Sequence, residues 1–140
     1  MKRKKQLIIA GAVLCLLAAA WGFYLYNKPR SGVNALQADT SITADSLYSH
    51  FAGNEQQANQ LFGNKVVEVS GVVALVQPGQ QGASVILAAK NDMGGGINCS
   101  LASGQQADNL LVGQPVKIKG RCTGYLMDVN LVDAVFVNRK

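Results

Sequence analysis

Residues 61–76 read LFGNKVVEVSGVVALV, and this stretch decides the fold. Val67, Val69, Gly71, Val73 and Leu75 share one parity, and Val66, Glu68 and Ser70 share the other. Side chains alternate across a strand, so the first half has one dry face and one wet face. After Gly71 the alternation ends, because Val72 to Val76 are apolar at both parities. A strand that begins half-exposed and then turns apolar on both sides suits a long, bent strand shared by two sheets. Gly71 stands at the change, where a bulge or barrel corner tolerates a residue without Cβ. The expectation is the first strand of a small closed β-barrel, buried on both faces beyond Gly71.

Upstream, residues 7–26 (LIIAGAVLCLLAAAWGFYLY) form an uncharged apolar run. At about 1.5 Å of helical rise per residue it spans about 30 Å, the thickness of a bilayer core. Trp21, Tyr24 and Tyr26 gather at its far end, as an interfacial aromatic belt does. Lys2, Arg3, Lys4 and Lys5 precede the run, and only Lys28 and Arg30 follow closely. The larger positive cluster stays in the cytoplasm, so the rest of the chain is expected outside it, in the periplasm or extracellular space behind a bacterial inner membrane. Ala18-Ala19-Ala20 offers a cleavage site, but cutting there would leave WGFYLY as an apolar terminus, so an uncleaved signal anchor is the reading. Leu14 before Cys15 does not fit a lipobox, which needs a small residue there. Residues 1–6 are then a basic cytoplasmic tail, 7–26 the transmembrane anchor, 27–42 a polar linker and 43–140 the outer domain.

Thr43 is a candidate N-cap with Asp45 in the first helical turn. Leu47, Phe51, Ala58, Leu61 and Phe62 fall near helical spacing, with a break at Gly53-Asn54, and this segment is expected to plug one barrel end. After the long strand come Ala83–Ala89, Ile97–Leu101, Gln114–Gly124 and Leu126–Val137, each bounded by glycine or turn residues. Between the third and fourth, residues 102–113 are expected to hold a short helical turn over Leu110 and Leu111. Val132-Asp133 breaks the parity of the last strand and marks a bulge. Five strands in so short a chain predict a mainly β protein with a five-stranded barrel of the OB type, an SH3-like barrel being the alternative.

The +5 net charge is misleading until divided. Residues 1–30 carry six of the 13 basic residues and no acid, so residues 31–140 hold seven basic against eight acidic side chains, a balance of −1. The basic character reports orientation in the membrane and not affinity for polyanions. The aromatic inventory agrees: the second and third strands, where OB barrels stack bases, carry no aromatic residue. Nucleic acid is therefore not the expected partner; the reading is a binding module that docks an envelope protein or small ligand, with the membrane held through residues 7–26, and nucleic-acid or oligosaccharide binding by the barrel is the alternative. Tyr125, between the fourth and fifth strands, is the aromatic placed to rim a ligand, with Lys117, Lys119 and Arg121 beside it as tentative contacts. Its alternative role is to cap the barrel end.

No catalytic constellation, metal cluster or nucleotide fingerprint stands out, so the expectation is a protein that is not an enzyme and has no cofactor. His50 has no second histidine or acid cluster and reads as a surface residue. Gly94-Gly95-Gly96 lacks the Lys-Ser/Thr of a phosphate loop and is followed by a strand. Cys99 and Cys122 form an even pair in a compartment expected to be oxidising, which predicts a disulfide worth about 3 kcal/mol. A redox role lacks the CxxC spacing.

Several pieces together resemble the bacterial tRNA-anti-like OB-fold domains: Asn54-Glu55 with Ala58; Phe62-Gly63-Asn64-Lys65 leading into Val67-Glu68-Val69-Ser70-Gly71; Cys99; and residues 113–124, GQPVKIKGRCTG. The resemblance covers about residues 43–137. It implies an OB barrel with an extra N-terminal helix and a Cys99–Cys122 pair, and it implies no transfer-RNA binding. Haem chaperones of cytochrome c maturation share the architecture of one anchor and an outer OB barrel. They attach haem at a histidine beyond the barrel, and this chain ends Val137-Asn138-Arg139-Lys140 without one.

Overall fold

A computed structural model describes residues 1–27, 32–80, 82–90 and 94–137, and of Asn34 its backbone. Residues 28–31 of the expected linker, 91–93 of the glycine-rich connection and 138–140 lie outside the described residues. The chain divides into two units, Met1–Ser31 and Gly32–Lys140. The first holds α1 (Lys2–Asn27), an apolar helix with no buried residue. It is long and apolar enough to cross a membrane.

The second unit is the barrel. Its elements are β1 (Thr40–Thr43), α2 (Ala44–Gly53), α3 (Glu55–Phe62), β2 (Val66–Gln77), β3 (Ser84–Ala88), β4 (Gly96–Leu101), β5 (Pro115–Tyr125) and β6 (Val129–Phe136). The strands run β1-β2-β3-β4-β6-β5, and a further β2–β5 pairing closes β2 to β6 into a five-stranded barrel. Closure removes the two sheet edges that an open five-stranded sheet would expose. These are the five strands the sequence predicts, in an OB-type barrel.

β2 is shared as its pattern predicts. From Val66↔Arg121 to Val72↔Pro115 it pairs with β5, and from Val73↔Leu87 to Gln77↔Ser84 it pairs with β3. The handover falls beside Gly71, but the bulge itself falls at Ala74, between Val73 and Leu75. That extra residue reverses the parity. Val76 packs on the core, while Val72 and Leu75 are each 43% exposed. The far half of β2 is therefore not buried on both faces, which corrects the expectation. Gly71 has a different reason to lack a side chain: a Cβ there would lie 2.9 Å from the Ala44 methyl and 3.3 Å from Leu87, where α2 crosses the strand.

α2 starts because Thr43 accepts a hydrogen bond from the Ser46 amide, and Asp45 favours the positive end of the first turn. Asn54 ends it and starts α3, its side chain accepting from the Gln57 amide at 3.0 Å. Leu47 and Phe51 are buried in one core with Val67, Val69, Leu87, Ile97, Ile118 and Leu131. Each such side chain contributes roughly 1.5–3 kcal/mol through burial. The helices thus plug one barrel end, as the spacing of their apolar residues predicts.

The segment expected to be linker is partly built into the barrel unit. Val33 is fully buried and packs with Val66 and Val135. Asp39 accepts the Val66 amide at 2.9 Å, and β1 then runs parallel to β2 from Thr40↔Val67. The polar composition of residues 27–42 conceals this docking. Residues 102–114 form successive turns rather than a helical turn, with Ala107 and Leu110 buried beneath them. The β6 bulge is where the sequence puts it: Asp133 has φ 52°, and pairing with β4 skips from Leu131 to Ala134.

Candidate binding face and barrel rim

Tyr125 ends β5 and is only part-exposed. Its ring stacks on Phe51 with centroids 5.9 Å apart and meets Tyr48 edge-on at 5.8 Å. Its hydroxyl donates to the Tyr48 hydroxyl at 3.4 Å. That bond, and burial after it, raises the Tyr48 phenol above its ordinary value of 10.0. Tyr125 is therefore the seam between the barrel and α2, the capping role and not a free aromatic rim. The exposed residues of this rim are its neighbours, Leu126 at 87% and Met127 at 77%.

Lys117, Lys119 and Arg121 alternate along the outer side of β5, and each has a partner. Lys117 pairs with Glu68 at 3.2 Å. Lys119 donates to the Leu36 carbonyl at 2.8 Å, and Arg121 donates to the Asn64 carbonyl at 3.3 Å. Two of the three hold down the segments that lead into β1 and β2. The structure thus sets these cations on one strand face without joining them to Tyr125 in a common pocket.

Cys99 and Cys122 are both free and buried, which corrects the expected disulfide. In the pairing registers Cys99 faces Leu131 from one side of β6, and Cys122 faces it from the other. One whole strand stands between them. Two steps of about 4.8 Å put their Cα atoms about 9–10 Å apart, beyond the roughly 7 Å a disulfide spans. Burial pushes the Cys99 thiol up to about 12 and raises that of Cys122, so neither is poised as a nucleophile. His50 sits exposed in the last turn of α2, its ring 5.4 Å from Phe62. Among the described residues no three His, Cys, Asp or Glu side chains group as metal ligands do.

A face the sequence did not single out emerges from the registers. Leu75 pairs with Ile86, Ile86 with Asn98, and Asn98 with Asn130. The four lie in one row across the outside of β2, β3, β4 and β6. Two are aliphatic and two are amides. The Asn98 Nδ2 donates to the Asn130 Oδ1 at 3.2 Å, and the Asn130 Nδ2 donates to the Asp128 carbonyl at 3.2 Å. This leaves Asn98 Oδ1 as a buried acceptor without a protein partner. Residues 70–89 and 94–107, which build most of this face, contain no Asp, Glu, Lys or Arg. The signal was present as that charge-free run, but the bulge at Ala74 decides which side chains face out.

The rim depends on Gly95. A Cβ on it would lie 2.5 Å from the Tyr48 hydroxyl and 2.6 Å from the Met127 carbonyl. Both neighbours are held, one by its partnership with Tyr125 and the other by the β5–β6 turn. Gly95→Ala should therefore cost about 1–3 kcal/mol, the range for overpacking a filled site, measured by urea denaturation of the full chain. Gly94→Ala is the comparison on the same loop, where a Cβ meets nothing within 4 Å although φ is +75°.

No curated protein matches the chain. Among solved structures, a candidate nucleic acid-binding lipoprotein of Klebsiella pneumoniae subsp. pneumoniae MGH 78578 superposes with a TM-score of 0.51 at 19% identity, covering 76% of this chain and 95% of that one. OBody AM3L09, bound to hen egg-white lysozyme, covers 57% of this chain and 88% of that one at 17% identity, with a TM-score of 0.40. The first likeness is one of fold. The family model named tRNA_anti-like matches residues 1–136. By that match and the OB-type barrel, the chain belongs to the tRNA_anti-like family.

Proposed function

We propose that this protein is a non-enzymatic binding module, held at the outer face of a bacterial inner membrane by α1, which docks a protein partner on the outside of β2, β3 and β4. The observation that carries the reading is the charge-free face with its row Leu75–Ile86–Asn98–Asn130. A polyanion needs cations to replace its counterions, and this face has none. Sugar and base stacking need aromatic rings, and the face has none of those either. An aliphatic patch bordered by amides matches the core and rim of a protein interface.

The test is photocrosslinking in intact cells of the full chain, with the photoreactive residue at Ile86, at Met127 or at Gln56 on α3. One envelope protein trapped at Ile86, lost when Leu75→Asp is added, is the expected result. Equal capture at Gln56 would overturn the assigned face. Nucleic acid is the second reading, prompted by the name of the Klebsiella neighbour. It predicts oligonucleotide binding by the purified full chain whose affinity falls steeply with salt, and a flat salt response would remove it.

A further inference from the structure

β2 has two edges, and the pairing along one of them stops short. On one side β2 meets β1 and then β3, as far as Gln77↔Ser84. On the other it meets β5 only as far as Val72↔Pro115. The Val73 amide then donates to the Gln114 carbonyl at 2.9 Å, and the Gly113 amide donates to the Val73 carbonyl at 2.7 Å. There the chain turns away, the Gln114 amide donating to the Leu111 carbonyl at 3.1 Å. Among the described residues no strand continues on this side of Leu75, Val76 and Gln77.

The registers show what this open edge offers. The Leu101 amide donates to the Ala83 carbonyl, so Ala83, Val85 and Leu87 aim their backbone groups at β4, and Ser84 and Ile86 aim theirs at β2. Leu75 opposite Ile86 and Gln77 opposite Ser84 therefore bond to β3. Val76 lies between them and points its N–H and C=O the other way, out of the sheet. Pro78 follows without an N–H, so the edge presents one complete residue. Exposed aliphatic side chains flank it: Val72 and Leu75 on β2, and Leu111 and Val112 on the turn. One residue is too little ladder for a foreign extended peptide, whose affinity comes from main-chain bonds at several positions. It is what a two-fold pairing needs. In an antiparallel pair, a residue that faces its own copy exchanges both bonds with it, N–H to C=O in each direction. Charged side chains are the usual device that keeps sheet edges apart. Residues 70–89 and 109–116 contain no Asp, Glu, Lys or Arg, so two copies of this edge meet without like charges opposed.

We infer that two copies of this chain pair edge to edge through Val76, with β2 of one barrel antiparallel to β2 of the other. Leu75 then lies opposite the partner's Gln77 on the outer face, and the rows that begin at Leu75 on the two barrels join into one broader face. The pairing goes beyond the proposed function and stands whatever docks on that face.

The test uses the full chain in mild detergent, with C15S throughout; Cys99 and Cys122 are buried. Chains carrying L75C and chains carrying Q77C, with different affinity tags, are mixed and exposed to a mild oxidant. Residues opposite one another without mutual hydrogen bonds have Cα atoms about 4.5 Å apart, within disulfide reach. L75C should therefore form disulfide-linked heterodimers with Q77C at about ten times its yield with Q56C, the control on α3, because paired edges hold the two sulfurs together. V76P removes the edge N–H, which β3 does not use. Placed in both chains, it should lower the yield to that of the control while the far-ultraviolet circular dichroism stays unchanged. Equal yields with Q77C and Q56C would overturn the pairing, and so would a folded V76P pair that crosslinks as before. The first comparison carries the test even if V76P does not fold.

Discussion

Phe51→Ala should remove about 3–5 kcal/mol from the stability of the barrel, the range for truncating a fully buried aromatic residue. The side chain is 1% exposed and belongs to the single large core. It lies between Tyr125, on which it stacks at 5.9 Å, and Phe62 of α3 at 6.2 Å. Truncation therefore opens a cavity where three elements meet: α2, α3 and the end of β5. The walls cannot close easily, because Tyr125 is also held by Tyr48 and by its pairing with Val129 of β6. Circular dichroism of the full chain in detergent under increasing urea would measure the loss. Trp21, the one tryptophan, lies in α1 and would not report on the barrel. Phe51→Leu should cost much less, since it refills most of the volume. Equal losses for the two variants would mean that the helical plug depends on capping and not on this aromatic contact. A domain of this size carries about 5–15 kcal/mol in all, so the alanine variant also tests whether the plug is needed for folding.

The barrel was legible because its strands alternate regularly and are bounded by glycine, proline or other turn residues. Val67, Val69, Ile118 and Leu131 alternate with polar or smaller neighbours, and a period of two leaves few alternatives. Thr43 and Asp45 announced the first helix start, and Gly53-Asn54 the break after it, through residues whose chemistry is local; that Asn54 also caps α3 came from the structure. What failed was non-local. Leu75 is aliphatic at the parity of Val73, and only the bulge at Ala74 turns it outward. An exposed aliphatic docking residue and a core residue look alike in a sequence. Val33 and β1 were hidden because a strap needs only one buried side chain and four paired residues. Tyr125 looked free because its partners, Phe51 and Tyr48, lie more than seventy positions away. The cysteines were read as a disulfide from their even number and expected compartment, and they are two free, buried thiols. Their count could not reveal that Leu131 runs between them. The candidate face became visible only from cross-strand registers, although its lack of charge was in the chain from the start.

The separation of those two thiols leads to the other large effect, at alkaline pH. Cys99 is fully buried, and burial raises its thiol from an ordinary value of 9.0 to about 12. In the unfolded chain the same thiol ionises near its ordinary value. Between the two values the unfolded state gives up a proton that the folded state keeps. Stability from this group is therefore intact below about pH 9 and falls as pH rises toward 12, by about 1.4 kcal/mol per pH unit. The loss from Cys99 alone reaches about 2 kcal/mol between pH 9 and pH 11 and about 3–4 kcal/mol by pH 12. Cys122, raised in the same direction, and Tyr48, raised above 10.0, add to the decline in the wild type. Comparison with Cys99→Ala isolates the one thiol. The variant should be less stable at neutral pH through its small cavity, and the gap should narrow steadily above pH 9. A reductant should leave both curves unchanged at every pH, because no sulfur–sulfur bond is there to break. Parallel curves, or a wild type weakened by reductant at pH 7, would mean that the two sulfurs are bonded across Leu131 after all. The β4–β6–β5 register would then have to be redrawn.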